Sequence, residues 1–75
     1  MKSKMKFGII GCSSIAKKST IPAIIANNNS VLEMIGSRSI TKAKTFSKEF
    51  ACNKFGNYDD VLNNENIDVV YISLP

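Results

Sequence analysis

Apolar and polar positions alternate along this chain in blocks. Phe7-Gly8-Ile9-Ile10 is a short continuous apolar run closed by Gly11, which predicts a strand buried on both faces of a parallel sheet. After Gly11-Cys12-Ser13-Ser14, the residues Ile15, Ala16, Ile21, Ile24 and Ile25 recur at helical spacing. Pro22 lies inside that stretch and has no N–H to donate, so it either kinks the helix or begins a second, longer section. Asn27-Asn28-Asn29-Ser30 reads as a loop, and Val31 to Ser37 as a second strand. Ser39 and Thr41 offer N-caps to a helix running through Phe50. On that helix Ala43, Phe46 and Phe50 share one face, and Lys42, Lys44, Lys48 and Glu49 lie outside. Lys54-Phe55 predicts a very short strand before Gly56. Asn57 with Asp60 three positions on marks a helix start, and Val61 and Leu62 give that helix an apolar face. Asn63 to Asn66 is a polar loop. Asp68 then introduces Val69-Val70-Tyr71-Ile72, the clearest strand in the chain, with Tyr71 expected in the core.

The resulting order, β-α-β-α-(β)-α-β with short connections, predicts an α/β fold in which right-handed crossovers lay helices over a parallel sheet. No internal repeat or low-complexity linker interrupts it. The last strand meets Leu74-Pro75 at once, although a central strand needs a covering helix. Residues 1–75 are therefore expected to be part of a larger domain.

Composition narrows the class. The chain has 75 residues, 44% hydrophobic and 21% charged, with four glycines and two prolines, which excludes a disordered tail, a collagen-like repeat and a disulfide scaffold. A chain of this size buries only about 60% of its unfolded surface, too little for a two-domain enzyme with its own cleft. No apolar run approaches the roughly 20 residues of a membrane span. Ile9-Ile10-Gly11-Cys12 resembles a lipoprotein cleavage site, but the apolar core from Phe7 to Ile10 is four residues long, against the roughly 7–15 a signal peptide needs. A cytoplasmic location is expected, with no membrane partner.

Charge is distributed unevenly. Residues 1–38 carry six cations and one anion, whereas residues 39–75 carry four lysines and five acids. The N-terminal half therefore favours an anionic ligand. Nucleic acid is not the expected partner, because no aromatic residues interleave with the lysines and no reading motif is present. Two cysteines 40 positions apart and no histidine exclude a metal site of paired-ligand spacing within the chain.

The chemistry concentrates in Gly8-Ile9-Ile10-Gly11-Cys12-Ser13-Ser14-Ile15-Ala16. A strand followed by this turn and a helix, inside a βαβ unit of about 30 residues, is the setting of a dinucleotide-binding turn. Gly11 takes the tight-turn position and Ala16 the helix-packing position. Ser13 stands where a second glycine would let the pyrophosphate approach. Its side chain would either crowd that group or donate a hydrogen bond to it. The N–H groups around Ser14 and Ile15 would face the phosphates. At the end of the second strand an Asp or Glu would bind the ribose of NAD. This chain has Gly36-Ser37-Arg38-Ser39 instead, and no acid. Arg38 can form a charge-assisted fork with a 2′-phosphate and both serines can donate to it, so NADP is preferred over NAD. A solvated Arg38, with Ser39 merely capping the next helix, is the plainer alternative. Lys42, one turn beyond Arg38, either adds a further cation for that phosphate or is an exposed helix lysine. Lys17 and Lys18 read as a solvated helix face, with a place near the phosphates for one of them as the alternative. Cys12 reads as a structural thiol without a base to activate it.

KFGIIGCSSIA, Pro22-Ala23, GSRSITKAKTFSKEF, GNYDDVL and IDVVYISLP together resemble the N-terminal part of the Gfo/Idh/MocA oxidoreductases, in that family's order and spacing. The resemblance implies a Rossmann-type doubly wound parallel sheet, present here only in part, and a further C-terminal domain carrying the substrate site and the contacts of a homo-oligomer. It implies hydride transfer between NADP (or NAD) and a hydroxyl-bearing carbon of a sugar, inositol or diol. By position, Gly11, Ser13, Ser14 and Ile15 would border the pyrophosphate, Ser37 and Arg38 the adenosine ribose, and Ser73, Leu74 and Pro75 the cofactor cleft at the end of the last strand. The family's catalytic lysine, in a Glu-Lys-Pro motif, and its histidine would lie beyond Pro75, so no catalytic residue is assigned. A nucleotide-sensing protein on the same fold is the alternative. An S-adenosylmethionine-binding domain is disfavoured by Arg38, because that ligand prefers an acid at that position.

Overall fold

A computed structural model of the chain describes residues 4–52 and 54–74. Four strands, β1 (Met5–Ile10), β2 (Ser30–Gly36), β3 (Phe55–Gly56) and β4 (Val69–Ile72), form one sheet in the order β3-β2-β1-β4. Every pairing is parallel. The helices are α1 (Ile21–Ala26), α2 (Ile40–Glu49) and α3 (Tyr58–Leu62). This is the α/β alternation that the blocked apolar pattern predicts, and it sets β1 at the centre between β2 and β4.

The period-2 alternation of strand side chains divides the core between the two faces of the sheet. Ile9 and Ile35, paired across β1 and β2, pack with Ala16, Ile21, Ile24 and Cys52. Their neighbours Ile10 and Met34 pack on the opposite side with Val61 of α3. Gly36 lets α3 come close to β2: a Cβ there would lie 2.5 Å from Val61 Cγ2 and 2.9 Å from the Asn57 carbonyl oxygen. Asp68 docks β4 at its start. Its carboxylate accepts from the Lys6 N–H at 2.9 Å, while its own N–H donates to the Lys6 carbonyl at 2.8 Å.

Pro22 opens the second section of its helix, but that section is not the longer one. The chain is helical from Ser14, passes through a π-helical turn at Ala16–Thr20, and enters α1 with Pro22 in its first turn. The Ile21 N–H reaches back five residues to the Ala16 carbonyl, and Pro22 follows in the first turn of the α1 section. The extra residue in the π turn rotates the helical face. Ala16, Ile21 and Ile24 are consequently buried, whereas Ile15 and Ile25 remain exposed, contrary to their place in the expected apolar stripe. Tyr71 also departs from expectation, being 44% exposed. Its strand pairs only with β1 in this sheet, so β4 is an edge among the described residues.

Both remaining helix starts follow the polar signals. Ser39 caps α2 by accepting from the Lys42 N–H at 3.3 Å. Asn57 and Asp60 form a reciprocal capping box, with the Asp60 N–H on Asn57 Oδ1 at 2.8 Å and the Asn57 N–H on Asp60 Oδ2 at 2.9 Å. Asn57→Ala is expected to cost about 1 kcal/mol of stability, read as a lower urea midpoint at unchanged slope. A midpoint equal to that of the parent protein would show the box to be unimportant.

Candidate functional site

In a parallel sheet the loops leaving adjacent strands begin side by side. Here β1 ends into Gly11 and β2 into Ser37, and the Gly11 N–H donates to the Gly36 carbonyl at 2.9 Å. Between these loops lies a cleft of about 140 Å³, lined by Gly11, Cys12, Ser37, Arg38, Ser39, Lys42 and Tyr58. The chain runs from β1 to β2 on one side and later returns to place β4 on the other. The carboxyl end of β1 is therefore a switch point of the sheet, where open α/β folds bind ligands.

Gly11 holds φ at +102°, and a Cβ on it would run into the Ser73 carbonyl oxygen at the end of β4. A side chain is excluded at that turn by conformation and by space alike. Ser13 turns toward β4. Its hydroxyl accepts from the Ala16 N–H at 3.1 Å and shares a 2.5 Å hydrogen bond with the Ser73 hydroxyl. Ser13 is absent from the residues lining the cleft. Ser14 and Ile15 are exposed in the first helical turn, where backbone N–H groups have no preceding carbonyl to bond.

Across the cleft, Ser37 is buried and anchored by its N–H to the Gly56 carbonyl at 3.0 Å. Its hydroxyl oxygen accepts from the Ser39 N–H at 3.1 Å. Because Ser37 and Ser39 each accept from backbone, each keeps an O–H to donate. Arg38 is exposed and forms no ion pair among the described residues. Lys42 stands one helical turn farther on and lines the same cleft. Two cations and no carboxylate therefore face this space. Lys17 instead pairs with Glu49 of α2 at 3.4 Å, an exposed pairing worth little.

Cys12 is half-buried in the cleft wall. Burial pushes its thiol above the ordinary cysteine range, and the Ser37 hydroxyl and Lys42 charge only partly oppose this. Cys52 is raised in the same way by burial, with its Sγ 3.3 Å from the Lys54 carbonyl oxygen. A raised thiol pKa keeps the unreactive protonated form present to higher pH. Alkylation of Cys12 by iodoacetamide is accordingly expected to be slow at neutral pH and to climb at higher pH than that of a solvated cysteine, as followed by mass spectrometry. Rapid labelling at pH 7 would contradict this.

Apart from Ser14 and Ile15 in the exposed first helical turn, the expected site residues fall into two groups. Gly11, Ser37, Arg38 and Ser39 share the cleft. Ser13, Ser73 and Leu74 gather on the β4 side of Gly11, with Leu74 exposed, and Pro75 lies outside the described residues. Lys42, for which the chain leaves open a second cation beside Arg38 or a solvated helix lysine, lines the cleft. Tyr58, also in the lining, follows a capping Asn without any pattern of its own and is not evident from the chain alone. Among the described residues no cluster of three or more His, Cys, Asp or Glu exists, and no helix is long and apolar enough to cross a membrane.

Residues 5–75 match the Gfo/Idh/MocA model, the oxidoreductase family with an NAD-binding Rossmann fold. The chain belongs to this family. Among Gfo/Idh/MocA relatives, it is 36% identical over 72 residues to D-xylose 1-dehydrogenase (NADP(+)) 2 of Haloferax volcanii, covering 95% of the chain and 22% of that enzyme. It is 29% identical over 72 residues to dTDP-3,4-didehydro-2,6-dideoxy-alpha-D-glucose 3-reductase of Streptomyces antibioticus, covering 96% of the chain and 22% of the relative. The 3-ketoreductase KijD10 of Actinomadura kijaniata, solved with NADP and TDP-benzene, superposes with a TM-score of 0.90 at 32% identity, covering 97% of this chain and 22% of that one. The chain thus spans about a fifth of the length of these relatives.

Proposed function

We propose that this Gfo/Idh/MocA segment forms the NADP-binding front of an oxidoreductase that moves a hydride between the nicotinamide and the hydroxyl-bearing carbon of a sugar, inositol or diol. The observation that carries the proposal is the donor set of the cleft: Arg38, Lys42 and the hydroxyls of Ser37 and Ser39, with no carboxylate among the lining residues. A 2′-phosphate needs cations and hydroxyl donors at the end of β2, whereas the free 2′-hydroxyl of NAD calls for an acid there. The fit extends to the turn after β1. Gly11 leaves backbone open to a pyrophosphate, and the N–H groups of Ser14 and Ile15 lack partners within the helix.

In this reading Arg38 and Lys42 hold the adenosine-side phosphate, Ser37 and Ser39 orient it, and the Gly11–Ile15 turn seats the pyrophosphate. Bound NADP supplies the hydride chemistry. No residue of these 75 is assigned a proton-transfer role; a lysine beyond Pro75, in a Glu-Lys-Pro sequence, is proposed for that. The sugar substrate class is supported by the activities named for the Haloferax and Streptomyces relatives.

Titrating the full polypeptide that carries these residues with NADPH and with NADH, followed by quenching of cofactor fluorescence, tests the reading. NADPH should bind more tightly, and sugars or polyols should then be turned over with NADP. Tighter binding of NADH would overturn the cofactor assignment.

A further inference from the structure

We infer that the Ser13 and Ser73 hydroxyls are a positioning pair that latches the phosphate turn onto the end of β4. The inference rests on the proposed cofactor reading for its ligand, but its geometry is independent of it. The two residues are 60 positions apart, and their oxygens lie 2.5 Å from one another. Two further contacts tie the same segments together. The Ser73 N–H donates to the Ile10 carbonyl at 2.7 Å, and Gly11 packs directly on the Ser73 carbonyl.

Ser13 occupies the position where the dinucleotide fingerprint uses its second glycine. A glycine there leaves the turn free to approach the cofactor but gives it no side-chain tether. Ser13 adds a tether at both ends. Its oxygen receives the Ala16 N–H at 3.1 Å, which fixes the first helical turn, and meets Ser73, which fixes the turn to the sheet. Ser73 is 8% exposed, so water competes poorly for this bond. The hydroxyls act through the backbone they hold. Loosening them misplaces the Gly11–Ile15 turn under the pyrophosphate, which NADPH and NADH share, and leaves the Arg38 end of the cleft untouched.

This reading opposes the simple view that Ser13 is a poor substitute for glycine. If Ser13 only crowded the ligand, Ser13→Gly would tighten binding. The latch predicts that Ser73→Ala, which removes one buried hydrogen bond, weakens NADPH and NADH alike by about fivefold, and that Ser13→Gly and Ser13→Ala, which also free the Ala16 N–H, weaken both at least as much. The Ser13→Ala/Ser73→Ala double variant should be no weaker than the worse single, because both remove the same bond. Ser13→Thr, which retains the hydroxyl, should restore binding.

Dissociation constants for both cofactors, measured on the full polypeptide well below its melting temperature, separate the latch from a purely structural role. Amide exchange at Ala16 supplies a second readout that needs no ligand and should accelerate in Ser73→Ala. Additive losses, tighter binding in Ser13→Gly, or unchanged exchange at Ala16 would overturn the latch. An unchanged NADPH/NADH ratio in Arg38→Ala would instead overturn the ribose-phosphate assignment. Should the parent protein bind neither cofactor, the proposed function fails while the exchange experiment still decides the latch.

Discussion

Arg38→Ala is expected to weaken NADPH binding about ten- to a hundredfold while changing NADH binding less than about twofold. A hydrogen bond to a charged group contributes about 1.5–3 kcal/mol, and each 1.4 kcal/mol is about tenfold in affinity. Arg38 is exposed and unpaired among the described residues, so the variant removes no structural ion pair and leaves no carboxylate stranded. Its planar fork suits a phosphate better than the point charge of a lysine. Lys42→Ala should shift the same ratio in the same direction by less. Both effects should shrink as salt rises, because the guanidinium is solvent-accessible. Fluorescence titration with each cofactor at low and high ionic strength checks this. A ratio that does not move would remove Arg38 from the site.

Gly11→Ala should destabilise the fold by roughly 2–5 kcal/mol, summing about 1–2 kcal/mol for the left-handed backbone with about 1–3 kcal/mol for overpacking. The substitution meets a backbone oxygen, that of Ser73, which cannot swing aside as the tip of a side chain would. The Ser73 N–H is itself held on the Ile10 carbonyl at 2.7 Å, so relief requires β1 and β4 to separate at their carboxyl ends. That is the mouth of the proposed site, and cofactor binding should be lost together with stability. Urea denaturation of the full polypeptide reads the first effect and NADPH titration the second. A midpoint close to that of the parent would show that the turn can relax without moving β4.

Much of the fold is legible from the order of the residues. Ile9 and Ile10 are both buried, on opposite faces of the sheet, and an unbroken apolar run is what two covered faces require. Ser39 and Asn57 carry their side-chain acceptor to an N–H three residues ahead, a relation local enough to be read directly. The burial of Ser47 at 3% is less legible. Its hydroxyl is satisfied by the Lys44 carbonyl of its own helix at 2.7 Å, so a polar letter in the pattern conceals a core position. The exposure of Ile15 and Ile25 follows from the π turn before Pro22, a change of helical phase that α-helical spacing cannot anticipate.

The site divides along the same line. The chain by itself determined the glycine at a turn between strand and helix, the small polar residues and arginine after the second strand, and the absence of an acid there. Each is a local requirement of backbone geometry or charge. Between the two readings of Lys42, a second cation beside Arg38 or a solvated helix lysine, the structure puts it in the cleft wall. Only the tertiary structure decided that Ser13 faces Ser73 and that Tyr58 closes the cleft. The Ser13–Ser73 and Tyr58 relations hold between segments distant in the chain, 60 positions for the serine pair, and they arise from the packing of α3 and β4 against β1 and β2, which no local pattern encodes.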